Sequence, residues 1–202
     1  MRIILTLVLG LLVSGCAQSI LDSPAEVAAA RYVSDEAPYV ALVTMINVGN
    51  GKGAHSAILV NGSQVALYDP AGTFKFETVP ERNDVLYGIN PRIKEAYEWY
   101  HARETTYVLE QKLPVSRDLA DAVIARMEAE GPSAKLNCAI HTGRILQSFP
   151  EFGTIPTSYF PSKIRDAFAT IPGVQNREVY QNDVGQNIQF RKLDLSVPGT
   201  QI

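Results

Sequence analysis

Three apolar runs between Tyr39 and Tyr68, each cut off by a turn signal, constrain this chain more than any other feature. Tyr39–Ile46 (YVALVTMI) is apolar and rich in β-branched residues, the pattern of a buried strand. Asn47–Gly53 (NVGNGKG) comes next as a turn with three glycines. His55–Val60 (HSAILV) is a second strand, Asn61-Gly62-Ser63 a tight turn, and Gln64–Tyr68 (QVALY) a third strand. The second and third runs read as a β-hairpin, and short turns of this kind join antiparallel strands.

Helical patterns dominate the chain from Asn90 onward. Asn90-Pro91 opens a helix over Arg92–Ala102, with Ile93, Ala96, Tyr97 and Tyr100 on one face. Ser116–Glu130 is the clearest helix: Ser116 can cap it, Leu119, Ala122, Val123, Ala125 and Met127 supply its apolar face, and Gly131-Pro132 stops it. Asn137 begins another that runs to Ser148, and Pro161–Ala169 a further one. Pro24–Arg31 holds a short helix, Val85–Tyr87 a short strand, Thr105–Lys112 a longer one, and Val179–Leu195 one or two polar strands. No repeat or low-complexity tract interrupts the pattern. Strand runs alternating with separate helices imply an α+β domain, an antiparallel sheet packed against helices.

The N-terminus carries a different signal. Arg2 precedes an apolar run from Ile3 to Val13, too short to cross a bilayer, which needs about 20 apolar residues. This suits a secretory signal. Leu12-Val13-Ser14-Gly15-Cys16 resembles the bacterial lipobox, in which an aliphatic residue and two small ones precede a lipidated cysteine. The resemblance implies a signal peptide over 1–15, lipidation of Cys16, a tether over 16–38 and a single domain over 39–202. The alternative is an ordinary secretory signal cut later, with Cys16 a bystander. A lipobox implies the periplasmic face of a bacterial membrane, and Ala17 rather than Asp after the cysteine favours the outer membrane by resemblance to enterobacterial sorting rules. The net charge of −3 and the lack of any basic block give no electrostatic case for nucleic acid.

With Cys16 taken by lipid, Cys138 is left alone in an oxidising compartment, where structural cysteines usually pair. It is either a small buried hydrophobe or a reactive thiol. It sits in the first turn of a helix, where the macrodipole and unpaired N–H groups stabilise a thiolate. His55 opens a strand directly after the glycine-rich turn, and a histidine within reach of the sulfur would take or share the thiol proton. The hairpin puts Asp69 at the same end as His55, where a carboxylate would orient the ring; the alternative is that Asp69-Pro70 only makes the turn. Tyr68–Gly72 could rim the cleft. His141 shares a helix face with Cys138 and could be a second base or begin a metal site, but zinc lacks further ligands and no cofactor is implied. His101 at a helix end and the aromatics Tyr97, Trp99 and Tyr100 read as ordinary cap, core and surface cover.

The order of a histidine-bearing strand (GAHSAILV, Gly53–Val60), a partner strand, and a later helix opened by Leu136-Asn137-Cys138-Ala139 resembles the circularly permuted papain-like proteins. These include NlpC-type peptidases and amidases and the lecithin retinol acyltransferase relatives. The resemblance covers Tyr39–Ser148. It implies a permuted papain-like fold with Cys138 as nucleophile, His55 as base, and the Cys138 backbone N–H in the oxyanion hole. One departure matters: many relatives place the third polar residue about 12 positions after the histidine, where this chain has Leu67, so Asp69 would have to replace it. The implied activity is a thiol hydrolase or acyltransferase on an amide, ester or thioester, with peptidoglycan peptides or lipid acyl groups as substrate classes. The rival reading is a non-catalytic envelope lipoprotein on the same fold.

Overall fold

A computed structural model describes residues 20–181. The expected signal peptide, Cys16 and, beyond Gln181, the rest of the Val179–Leu195 stretch expected to hold polar strands lie outside the described residues; the described strand there, over Gln175–Val179, ends where that stretch begins. Among the described residues seven strands form one sheet in which every neighbouring pair is antiparallel. In chain order they are β1 (Tyr39–Asn47), β2 (Gly53–Asn61), β3 (Val65–Tyr68), β4 (Glu81–Arg82), β5 (Val85–Tyr87), β6 (Thr106–Pro114) and β7 (Gln175–Val179). Their order across the sheet is β4-β5-β3-β2-β1-β6-β7. The helices are α1 (Pro24–Ala30), α2 (Pro91–His101), α3 (Arg117–Glu130), α4 (Cys138–Gln147) and α5 (Pro161–Phe168). The chain is therefore α+β.

Both faces of the sheet are covered, which explains why β1 and β2 read as nearly continuous apolar runs rather than alternating ones. On one face Val40, Leu42, Ile58 and Val60 pack with Ala120, Val123 and Met127 of α3, Ile145 and Leu146 of α4, and Ile164 and Phe168 of α5. On the other, Ala41, Val43, Leu59 and Leu67 pack with Phe74 and with Ile93, Ala96 and Tyr97 of α2. Side chains alternate across a strand, so His55, Ala57 and Leu59 face α2 while Ser56, Ile58 and Val60 face α4.

Local chemistry sets the helix starts. Asn90 caps α2 by accepting from the N–H groups of Arg92 and Ile93, and Pro91 fills the first helical position. Ser116 caps α3 through the Leu119 N–H. Ser23 and Glu26 form a reciprocal capping box on α1. β4 and β5 are joined by Asn83-Asp84, both at positive φ, the geometry of a two-residue hairpin turn.

The stretch expected to be a tether, 16–38, is bound to the domain in its described part. The N–H of Asp22 donates to the Glu81 carbonyl, that of Asn83 to Ile20, and that of Val65 to Tyr32. The Asn61 amide donates to the Glu36 and Ala37 carbonyls. Gly88 lies so close under Ala30 that a side chain there would meet the Ala30 carbonyl oxygen at 2.4 Å. The reason lies in the main chain: these are mostly backbone bonds, which side-chain polarity does not announce.

Candidate active site

β3 ends at Tyr68, opposite Ile58, so the first residues of β2 are open on that side. The site is built in this gap. Asp84 brings its parts together. Its Oδ2 accepts from the N–H of Ala71, in the loop after β3, and from the N–H of Ser133, in the loop before α4, both at 2.8 Å. The Asp84 carbonyl accepts the Asp69 N–H at 2.9 Å. The turn Asn83-Asp84 thus holds Asp69 on one side and steers the α4 N-terminus toward β2 on the other.

Cys138, His55 and Asp69 converge there. His55 Nε2 lies 2.7 Å from Asp69 Oδ1. The same imidazole interacts with the Cys138 thiol. Because Nε2 is engaged by the carboxylate, the nitrogen left for the sulfur is Nδ1. Ser56 also neighbours the thiol, and its hydroxyl donates to Thr142 Oγ1 at 3.3 Å. Cys138 is 8% exposed and Asp69 4%, while the His55 side chain keeps 19% of its surface open.

The electrostatics derive from that line of groups. Burial alone would push the Cys138 thiol up; the His55 hydrogen bond and charge, with the Ser56 donors, outweigh it and hold the thiol below its ordinary value. Burial alone would lower His55; the Asp69 and Cys138 bonds and charges reverse this and raise it to about 10. Asp69 is lowered despite burial, chiefly by His55, with help from His101 and Tyr97. The three directions agree on one state, a thiolate–imidazolium pair backed by a carboxylate.

Asp69 does not serve as the cap of its turn. The neighbouring Ala71 N–H goes to Asp84, and the Asp69 side chain is spent on His55 and on the Tyr97 hydroxyl, which donates to the same Oδ1 at 2.9 Å. The other oxygen, Oδ2, is buried without a hydrogen bond and packs against Gly72, where an added Cβ would sit 1.7 Å from it. Gly72 is therefore required by the carboxylate's position.

Tyr97 and His101 are site residues that sequence reasoning took for core and cap. His101 lies one turn after Tyr97, donates from Nδ1 to the Tyr97 carbonyl at 3.0 Å, and stacks on His55 with ring centroids 6.0 Å apart and planes 14° apart. Burial pushes His101 down to about 4; Asp69 opposes this and the His55 charge adds to it. It is a neutral wall beside the charged ring. The Tyr97–His101 spacing marks one helix face, but nothing in the sequence aims that face at Asp69.

His141 points elsewhere. Its Nδ1 lies 3.0 Å from Glu130 Oε1 at the end of α3. Among the described residues no cluster of histidine, cysteine and carboxylate side chains suits a metal ion. A surface cleft between Tyr32, Tyr39, Lys94, Glu98 and Arg177 is at the opposite end of the sheet. In it Lys94 and Arg177 each bind the buried Glu110, and Arg177 also binds Glu98.

No family model matches this chain, and no curated protein or solved structure matches it.

Proposed function

We propose that this chain is a thiol hydrolase or acyltransferase, lipid-anchored through Cys16 on the periplasmic face of a bacterial membrane, with the permuted papain-like fold its motif order resembles. The observation that carries the reading is the His55–Asp69 hydrogen bond at 2.7 Å with the Cys138 thiol as the other neighbour of the same imidazole. Such a line is the arrangement that makes a nucleophile at neutral pH.

In this reading the Cys138 thiolate attacks the carbonyl carbon of an amide, ester or thioester. The carbonyl electron pair moves to oxygen, and the Cys138 N–H, one of the unpaired groups of the first turn of α4, stabilises that oxyanion. His55 gives its Nδ1 proton to the leaving amine, alcohol or thiol as the bond to carbon breaks. A thioester to Cys138 remains. Water or an amine then attacks it, His55 takes the proton from the incoming group, and Cys138 departs as thiolate. Asp69 holds Nε2–H throughout, keeping one ring orientation and stabilising the imidazolium. Peptidoglycan peptides and lipid acyl groups both fit this chemistry.

Iodoacetamide on the folded protein near neutral pH tests it. Cys138 should label rapidly. His55→Ala should slow labelling by roughly tenfold or more, because each pH unit of thiol pKa changes the thiolate fraction tenfold below that pKa. Labelling only after denaturation would identify a non-catalytic envelope domain instead.

A further inference from the structure

We infer that the end of the sheet that carries Cys138 and His55 is the face that lies on the membrane. The inference rests on the reading of Cys16 as a lipid anchor, and it adds an orientation.

Strand register defines that end. β1 finishes there at Asn47, β2 starts at Gly53, β6 starts at Thr106, β7 finishes at Val179, and β3 finishes at Tyr68 beside the start of β5. The exposed large apolar side chains gather at it. Val48 is on the β1–β2 turn, and Leu136 is two residues before Cys138. Tyr159 and Phe160 immediately precede Pro161, which packs on Gly53. Tyr180 comes directly after β7 and stacks on Tyr107. Leu136 is 86% exposed, Phe160 68% and Tyr159 66%. Leu136 also stands at φ 70, a left-handed conformation that a leucine rarely takes, with its side chain directed out of the fold. Val33 is an exposed apolar side chain at the far end, beside Tyr32, whose carbonyl accepts from the first residue of β3.

Isolated exposed apolar groups need no explanation, but a cluster at one end, aromatic in part, marks a contact surface. Two observations choose a bilayer as the partner. The first is where the chain enters. The Ile20 carbonyl accepts from the Asn83 N–H in the β4–β5 turn, which belongs to this same end. Cys16 is four residues upstream, and four residues reach at most about 14 Å. Acyl chains on Cys16 would therefore pull this end, and no other, onto the membrane. The second is composition. Tyr and Phe beside the exposed Lys52, Lys135 and Lys163 make the mixture that settles at an anionic headgroup boundary, aromatic rings at the interface and ammonium groups on phosphates. Glu104, Asp166 and Glu178 are exposed acidic groups at this end; Asp166 is paired with Arg165, which reaches the Gly51 carbonyl, and Glu178 accepts from the Tyr180 hydroxyl. In this orientation His55, the more exposed partner of Cys138, faces carbonyls presented at the membrane plane.

The test uses the full lipidated chain in vesicles of phosphatidylethanolamine and phosphatidylglycerol, made with and without brominated acyl chains. Phe160→Trp and Val33→Trp are compared, with the parent protein and its Trp99 as background. Bromine should remove about half or more of the added Phe160→Trp emission, since interfacial side chains sit about 5–10 Å into the headgroup–acyl boundary. The Val33→Trp signal should be unaffected. Equal quenching at both positions, quenching at Val33→Trp alone, or none at either overturns the orientation. A Phe160→Trp emission already blue-shifted without lipid, and lost on removing residues 182–202, would show that the chain's own C-terminal segment covers the patch, and also overturns it. Mass spectrometry that finds no acyl group on Cys16 overturns the anchoring. None of these readouts depends on thiol reactivity, and a Cys138→Ser protein should quench identically, so failure here is separate from failure of the proposed chemistry.

Discussion

Asp69→Asn isolates the carboxylate's charge from its geometry. In the native site Oδ1 accepts from both His55 and Tyr97, while Oδ2 is buried beside Gly72 and makes no hydrogen bond. Asparagine can keep its oxygen in the Oδ1 position and both donors. Its NH2 then replaces Oδ2 beside the small gap lined by Gly72, Phe74, Glu81 and Asp84. The fold should survive, and what is lost is the negative charge 2.7 Å from the imidazolium. Both side chains are largely buried, so solvent screens the interaction little. A hydrogen bond to a charged group contributes about 1.5–3 kcal/mol and a neutral one about 0.5–1.5 kcal/mol, so the loss is on the order of 1.5 kcal/mol. That is about one pKa unit. The sign is fixed by the direction of the native shifts. The native thiol is held below its ordinary value, so reactivity persists above its pKa and falls as the pH drops through it. Without the Asp69 charge the imidazolium is less stable, the thiol pKa rises, and the acid limb moves to higher pH. The assay is the iodoacetamide rate at Cys138 against pH for both proteins, with thermal unfolding as the control for fold. An acid limb unchanged in a normally folded Asp69→Asn protein refutes the orienting role, and with it the claim that this carboxylate supports the thiolate.

Gly72→Ala reaches the same carboxylate from behind. The new Cβ would stand 1.7 Å from Oδ2 and 2.1 Å from Cγ, so Asp69 must swing away and its bond to His55 must lengthen or break. The alkylation rate at neutral pH should fall roughly tenfold, with stability reduced by about 1–3 kcal/mol from overpacking; a native rate would mean the carboxylate tolerates displacement. Cys16→Ala should abolish palmitate incorporation, and continued incorporation would place the acyl group elsewhere.

The elements were legible in the sequence because burial writes a period into it. β1, β2, α2, α3, α4 and α5 begin and end within about two residues of their expected bounds, a usual margin for such boundaries. Cys138 and His55 were legible because each opens an element after a turn, which is a local feature. Tyr97 was not. A tyrosine on the buried face of an amphipathic helix has the same hydropathy whether its hydroxyl meets water or a carboxylate 28 residues away in sequence. Asp84 was hidden for a related reason: Asn-Asp reads as turn chemistry, and its two side-chain contacts are to loop backbone 13 and 49 residues away in sequence. The two-residue β4 is too short to carry any period.

What places the catalytic candidates in register is the end of a strand. His55 and Asp69 lie on the α2 face of the sheet, whereas α4, which carries the thiol, packs on the other. A fully paired β2 would keep the two apart. Because β3 stops at Tyr68, the sheet is open beside Ser56, and the sulfur comes up to that edge, next to Ser56 and to the ring reaching round from the opposite face. The β2–β3 pairing Ile58–Tyr68 and Leu59–Leu67 then decides everything about the dyad's support. A slip of one residue would turn Asp69 toward α4 and leave His55 facing α2 with no acceptor. Buried Leu59 and Leu67 oppose that slip, since it would exchange their packing on α2 for a clash with the helices behind. The apolar core and the catalytic geometry are thus enforced by the same hairpin, and core substitutions that loosen its register should weaken Cys138 reactivity before they unfold the domain.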